Sequence, residues 1–204
     1  MTSDADLIIA GGGPAGMMAG LLFARAGLKG TVLEKHGDFL RDFRGDTVHP
    51  STLRIFHELG FLETLLARPH DKARKLSGII GGEKVTIADF SHLPKIAPFV
   101  VLMPQWEFLD FVADLGRLYP GFDLRMRAEA VGLAYEGERV AGIPVVEAGR
   151  EGVFRGRLII AAAAEELHRV VFETEQRTLV LNVADLMTVA VAGIRACDPE
   201  LAER

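Results

Sequence analysis

Gly11, Gly13 and Gly16 stand in a G-x-G-x-x-G frame directly after the apolar run Leu7–Ala10, and an apolar helical stretch follows them. Glu34 closes a second apolar run, Thr31–Leu33. Each residue type has a use in gripping a dinucleotide. A tight strand-to-helix turn needs a residue that tolerates positive φ, which suits Gly11. Gly13 has no Cβ to hold a pyrophosphate away from the backbone, and Gly16 lets the helix pack closely on the sheet. The helix N-terminus offers unpaired N–H groups and a partial positive charge to the phosphates. Glu34 can accept hydrogen bonds from a ribose 2′-hydroxyl, and its charge repels a 2′-phosphate. Pro14, Ala15 and Lys35 join these residues as cofactor-binding candidates. A structural turn would explain glycines alone. Strand, turn, helix, strand and acid in this order form the dinucleotide-binding fingerprint in its required context. The pattern points to a cofactor class and leaves the reaction open.

These residues need a βαβ unit to position them, and the following sequence supplies further elements. Asp38–Asp46 is polar and arginine-containing, which predicts a loop. Leu53, Phe56 and Leu59 recur at helical spacing, so Pro50–Leu59 reads as a helix stopped by Gly60. A short helix is expected over Leu62–Ala67, closed by Pro69. Residues Leu76–Phe99 alternate about Gly81-Gly82 and predict a β-hairpin. Pro104-Gln105 opens an amphipathic helix, Trp106–Leu118, ended by Tyr119-Pro120-Gly121. Strands are expected at Phe122–Met126, Ala130–Glu136, Arg139–Val146, Gly152–Phe154 and Leu158–Ala161. Glu165–Gln176 reads as a polar connecting helix with Leu167, Val170 and Val171 on its buried side. Arg177–Ala184 is strand-like and precedes an apolar helical stretch, Leu186–Ile194.

Composition narrows the function classes. The chain has 204 residues, enough for one sizeable core. Its 23 basic and 28 acidic residues give net charge −5 with no Lys/Arg block, which argues against a nucleic-acid partner. Cys197 is the only cysteine, so an intrachain disulfide is excluded and a cysteine metal site is disfavoured. The histidines, His36, His49, His57, His70, His92 and His168, show no metal-binding spacing, and no metal is expected. Leu7–Ala24 is uncharged and long enough to be weighed as a membrane span, but Gly11–Pro14 interrupt it. Asp4 and Asp6 precede it without a Lys or Arg, so a secretory signal is poorly supported. A cytoplasmic chain with no membrane partner is the expectation.

Three blocks together resemble a known family: the fingerprint, Arg44–Gly60 (RGDTVHPSTLRIFHELG) and Met103–Val112 (MPQWEFLDFV). Over roughly Asp6–Ala162 the chain is similar to the FAD-dependent aromatic hydroxylases, flavoprotein monooxygenases of the p-hydroxybenzoate hydroxylase type. The resemblance implies that Gly11, Gly13, Gly16 and Glu34 hold the ADP half of FAD. It implies that Arg44 lies along the cofactor and that Gln105, opening the later helix, reaches it. A solvated loop charge and an ordinary helix-start residue are the plain alternatives for these two. The family's chemistry is a flavin reduced by a nicotinamide cofactor, NADH or NADPH, followed by reaction with O₂ and insertion of one oxygen into an aromatic substrate. The flavin carries that chemistry, so no side-chain nucleophile is expected and no catalytic residue is assigned. His49 is the most tempting imidazole, against the commoner structural or solvated role.

The departures from the family are equally specific. After Leu158–Ala162 the family has Asp-Gly and then arginine, whereas this chain reads Ala163-Ala164 and Glu165-Glu166. A later Gly-Asp motif has only Asn182-Val183 near its place. Most of a substrate-binding domain has no counterpart, so the chain reads as a truncated, rearranged or engineered cofactor domain. The fold expected is a three-layer, Rossmann-like α/β domain with a parallel sheet, an antiparallel strand group covering one face and a small hairpin excursion. One domain is expected over residues 1–204, with 76–102 as the excursion and 165–204 as an atypical C-terminal segment. An FAD-binding oxidoreductase is the leading functional expectation. A non-catalytic flavin- or nucleotide-binding domain and an NAD-dependent dehydrogenase are the alternatives, and the oligomeric state is open.

Overall fold

The computed structural model describes residues 2–40, 46–93, 96–161, 170–174 and 177–181. In chain order its elements are β1 (Thr2–Ala10), α1 (Pro14–Arg25), β2 (Gly30–Glu34), β3 (Thr47–Val48), α2 (Pro50–Glu58), α3 (Leu62–Leu66), β4 (Asp71–Ala73), β5 (Lys75–Ile80), β6 (Glu83–Asp89), β7 (Val100–Leu102), α4 (Gln105–Gly116), β8 (Phe122–Met126), β9 (Ala128–Ala130), β10 (Ala134–Glu136), β11 (Arg139–Glu147), β12 (Arg150–Ala161), β13 (Val170–Thr174) and β14 (Arg177–Leu181). Two compact units result, one built from Met1–Asp38 with Val112–Arg204 and the other from Phe39–Phe111.

In the first unit, Leu7, Ile8, Ile9 and Ala10 are all buried, as expected of a central parallel strand covered on both faces. β1 pairs in parallel with β2 and β12, placing Leu7 opposite both Gly30 and Leu158. β8 continues the parallel set beyond β2. Successive side chains point to opposite faces. On the face of Ile9 and Val32 lies α1, held close by small residues. A Cβ on Gly16 would stand 3.1 Å from Ile9 Cγ2, and one on Gly20 would stand 2.6 Å from Val32 Cγ2. On the opposite face, Ile8, Ala10, Leu33 and Ile159 pack with Ala128, Ile143, Val145 and Phe154 in one buried cluster. Helix, parallel sheet and antiparallel strands therefore form the three layers expected from the sequence.

Three sequence expectations need correction. Gly152–Phe154 and Leu158–Ala161 are parts of one strand, β12, which runs unbroken through Gly156. Gly156 marks close approach rather than a break, since a Cβ there would lie 2.7 Å from Ile8 Cγ1. Ala130–Glu136 is not one strand. β9 pairs with Val145–Glu147 of β11, and β10 pairs with Arg139–Gly142. Pro144 lies between these pairings, and its missing N–H interrupts the ladder. The helix expected over Glu165–Gln176 is contradicted at Val170–Thr174, which form β13, antiparallel to β14 and to the end of β12. Val170-Val171-Phe172 is a β-favouring run, and strand pairing prevails there over a helical pattern. Ala163–Glu166, Asn182-Val183 and Leu186–Ile194 lie outside the described residues.

The second unit contains the three-stranded antiparallel sheet β3-β7-β4 and the separate hairpin β5-β6. Gly81 and Gly82 have φ of 62° and 87°, the pair of positive values that a two-residue type I′ hairpin turn requires. Pro50 opens α2, and Gly60, at φ 82°, follows the cap residue Leu59. Phe56 packs against Phe108 and Phe111 with ring centroids 5.7 and 5.5 Å away. Among the described residues, no helix is long and apolar enough to cross a membrane.

Candidate functional site

β1 ends at Ala10 and α1 begins at Pro14, so Gly11–Gly13 must turn a strand into a helix. Gly11 has φ 115°, a conformation that L side chains rarely adopt, and its N–H donates to the Leu33 carbonyl at 2.8 Å. Gly12 is buried, and a Cβ on it would lie 2.8 Å from Glu34 Cβ. A Cβ on Gly16 would lie 2.0 Å from the Gly11 carbonyl oxygen. The protein's own packing thus demands these three glycines. Gly13 is different. Its φ of −71° and ψ of 178° suit any residue, and among the described residues beyond its chain neighbours no atom lies within 4 Å of where its Cβ would stand. The packing of the described residues does not by itself require a glycine at this position.

Gly13 is also the N-cap of α1. The helix has no side-chain cap and no acidic residue in its first turn, and Pro14 fills its first position. Pro14 has no N–H, so Ala15 and Gly16 present the leading amide groups at the positive end of the helix dipole. A diphosphate fits this cradle in charge, donors and room.

Glu34 ends β2 beside the turn and is 9% exposed. Its Oε2 accepts the Gly12 N–H at 3.0 Å. Its Oε1 accepts the His36 N–H at 2.9 Å and meets His36 Nδ1 at 2.5 Å. Burial pushes the carboxyl pKa up, but the hydrogen bonds from His36 and Gly12 more than offset it and hold the group below its ordinary 4.5. An ionised carboxylate only accepts, so this geometry assigns the ring hydrogen to Nδ1. Gly12 and His36 were missed by the sequence reading. The triple glycine and an imidazole two residues beyond the acid were the available signals. Arg127 was also missed. It has φ 59°, its N–H donates to the His36 carbonyl at 2.9 Å, and its Nε lies 2.7 Å from where a Gly37 Cβ would be.

Gly11, Gly13, Pro14, Ala15, Gly16 and Glu34 are brought together around this one turn. Lys35 follows Glu34 and is exposed. Arg44 lies outside the described residues. Gln105 opens α4 in the Phe39–Phe111 unit, where its N–H points to Asp46 Oδ1 at 3.4 Å and the Asp46 carbonyl accepts the Met103 N–H. His49 is the exposed N-cap residue of α2 and makes no side-chain capping bond.

A family model described as FAD binding domain matches residues 4–190, beyond the point near Ala162 where the recognisable motifs stop. The chain is 29% identical over 161 residues to 6-methylpretetramide 4-monooxygenase of Streptomyces rimosus, covering 77% of this chain and 38% of that protein. It is 30% identical over 138 residues to an uncharacterised aromatic compound monooxygenase, YhjG, of Bacillus subtilis, covering 68% of this chain and 27% of the relative. Among solved structures, the myxobacterial chondrochloren halogenase CndH shares the fold with a TM-score of 0.71 at 24% identity, over 84% of this chain and 40% of the halogenase. The chain therefore spans well under half the length of these relatives.

Proposed function

Because the chain belongs to the FAD-binding domain family, we propose that it is the flavin-holding part of an oxidoreductase of the aromatic-monooxygenase kind. One observation carries the reading most directly. Gly13 is bare where the protein does not require it, at an uncapped helix start beside a buried carboxylate. In this reading the amides of Ala15 and Gly16 bind the FAD diphosphate, and Glu34 takes the adenosine ribose. Pro14 sets the first turn of α1, and the exposed Lys35 extends the site just beyond β2. Arg44 and Gln105 are the further candidates along the cofactor, on the family resemblance alone. When bound, FAD supplies the redox chemistry of such enzymes. The residues of this chain bind and orient it.

NADH or NADPH is the proposed reductant and an aromatic compound the proposed substrate. The names of the two curated relatives, both monooxygenases and one of aromatic compounds, support that class. The test begins with the absorption spectrum of the purified chain, which should show a flavin band that FAD addition raises to about one equivalent. Oxidation of NADH or NADPH is then followed with and without aromatic compounds, together with analysis for a hydroxylated product. Flavin uptake with substrate-stimulated oxidation and product supports the proposal. A colourless protein that binds NAD and refuses FAD overturns it.

A further inference from the structure

Among the described residues, three donors meet the Glu34 carboxylate, and two of these are the main-chain amides of Gly12 and His36, which nearly any residue would supply. The third, His36 Nδ1 at 2.5 Å from Oε1, comes from a side chain and so depends on residue identity. The geometry points to His36 as a positioning residue, whose Nδ1–H fixes the Glu34 carboxylate in the orientation that takes a ribose 2′-hydroxyl. The inference rests on the reading of the glycine turn as the FAD site and adds a residue that the fingerprint does not contain.

A packing role is a poor account of this imidazole. Its side chain is 45% exposed, whereas that of Glu34 is 12% exposed, so the ring stands on the solvent side of the carboxylate and fills no core. The turn that presents the ring is itself held. Arg127 donates its N–H to the His36 carbonyl at 2.9 Å, and its guanidinium lies against the bare backbone of Gly37. The same carboxylate also braces the glycine turn, because Oε2 takes the buried Gly12 N–H at 3.0 Å. A rotation of Glu34 would therefore disturb a ribose contact and the turn together. Fixing an acceptor in its bound orientation before the ligand arrives strengthens binding by removing the cost of ordering it.

The experiment measures binding of ADP and 2′-deoxy-ADP by calorimetry to the full chain stripped of flavin, for wild type, His36→Ala and His36→Asn. Asparagine places its amide nitrogen near the position of Nδ1 and can restore the donor. Wild type should prefer ADP by about tenfold or more, the scale of a hydrogen bond to a charged group. In His36→Ala that preference should shrink to within about threefold, with the far-UV spectrum retained, and His36→Asn should recover most of it. The inference is overturned if His36→Ala keeps the wild-type preference, weakens both nucleotides by the same factor, or is matched by His36→Asn. A wild-type chain that binds neither nucleotide overturns the FAD-site reading along with it. Tight ADP binding with an unchanged preference in His36→Ala overturns the role of His36 alone.

Discussion

In the turn after β1, packing leaves no room for a side chain at Gly12 or Gly16 and leaves open space at Gly13. A Cβ on Gly16 would meet the Gly11 carbonyl oxygen at 2.0 Å. Gly16→Ala should lower the unfolding free energy by about 1–3 kcal/mol, the usual cost of overpacking, read as a fall in the urea midpoint at unchanged slope. An unchanged midpoint would mean that the turn yields more easily than its geometry implies. Glu34 carries the pH prediction. Its folded-state pKa lies below the ordinary 4.5, so as pH falls the unfolded chain takes up the proton first. The stability it contributes is complete above about pH 4.5 and is lost as pH drops through the lowered folded value. The stability gap between wild type and Glu34→Gln should therefore be widest near neutrality and close in acid. A gap that is constant with pH would contradict this. The frame of Gly11, Gly13, Gly16 and Glu34 was legible because its spacing is tied to a strand–turn–helix path. Gly12, His36 and Arg127 were not. Their roles depend on where the end of β2 comes back against the turn, and on a positive φ at Arg127 that its residue type does not announce.

At the scale of elements, apolar runs and turn glycines carried most of the information. β2, α2 and β8 were placed within a residue of their observed bounds, β1 was read only over its second half, and the Gly81-Gly82 hairpin formed where two positive-φ residues allow it. The errors arose where a residue's usual meaning was overridden by its partners. Residues 155–157 separated two expected strands, yet β12 runs through them and needs a bare backbone at Gly156 to pass Ile8 of β1. Gly156→Val should therefore destabilise the chain by about 1–3 kcal/mol, measured by chemical denaturation. A neutral effect would show that the two strands separate at that point at no cost. Pro144 split the Ala130–Glu136 strand for a reason that belongs to its neighbour's ladder and not to the segment itself. The stretch at Val170–Thr174 showed both helical spacing and β-branched residues, and only pairing with β12 and β14 decides between them.

For the molecule as a whole, the family resemblance of the sequence and the match over residues 4–190 agree on an FAD-binding domain. The three-layer order of α1, parallel sheet and antiparallel strands places the glycine turn at the carboxyl end of β1, beside the end of β2, where such α/β sheets bind ligands. The relatives are more than twice as long as the matched region, so substrate and reductant belong to the proposal rather than to this fold alone. The central claim is that the amides at the start of α1 receive the FAD diphosphate past the bare backbone of Gly13, and Gly13→Asp tests it most directly. Aspartate is a favourable N-cap in the extended conformation that Gly13 already has, so the flavin-free variant should be as stable as wild type or more so by a few tenths of a kcal/mol. The same carboxylate would occupy the diphosphate position with like charge, so the flavin absorbance that co-purifies with the chain, or is regained on adding FAD, should vanish. A Gly13→Asp protein that takes up a full equivalent of FAD with wild-type affinity would contradict the account.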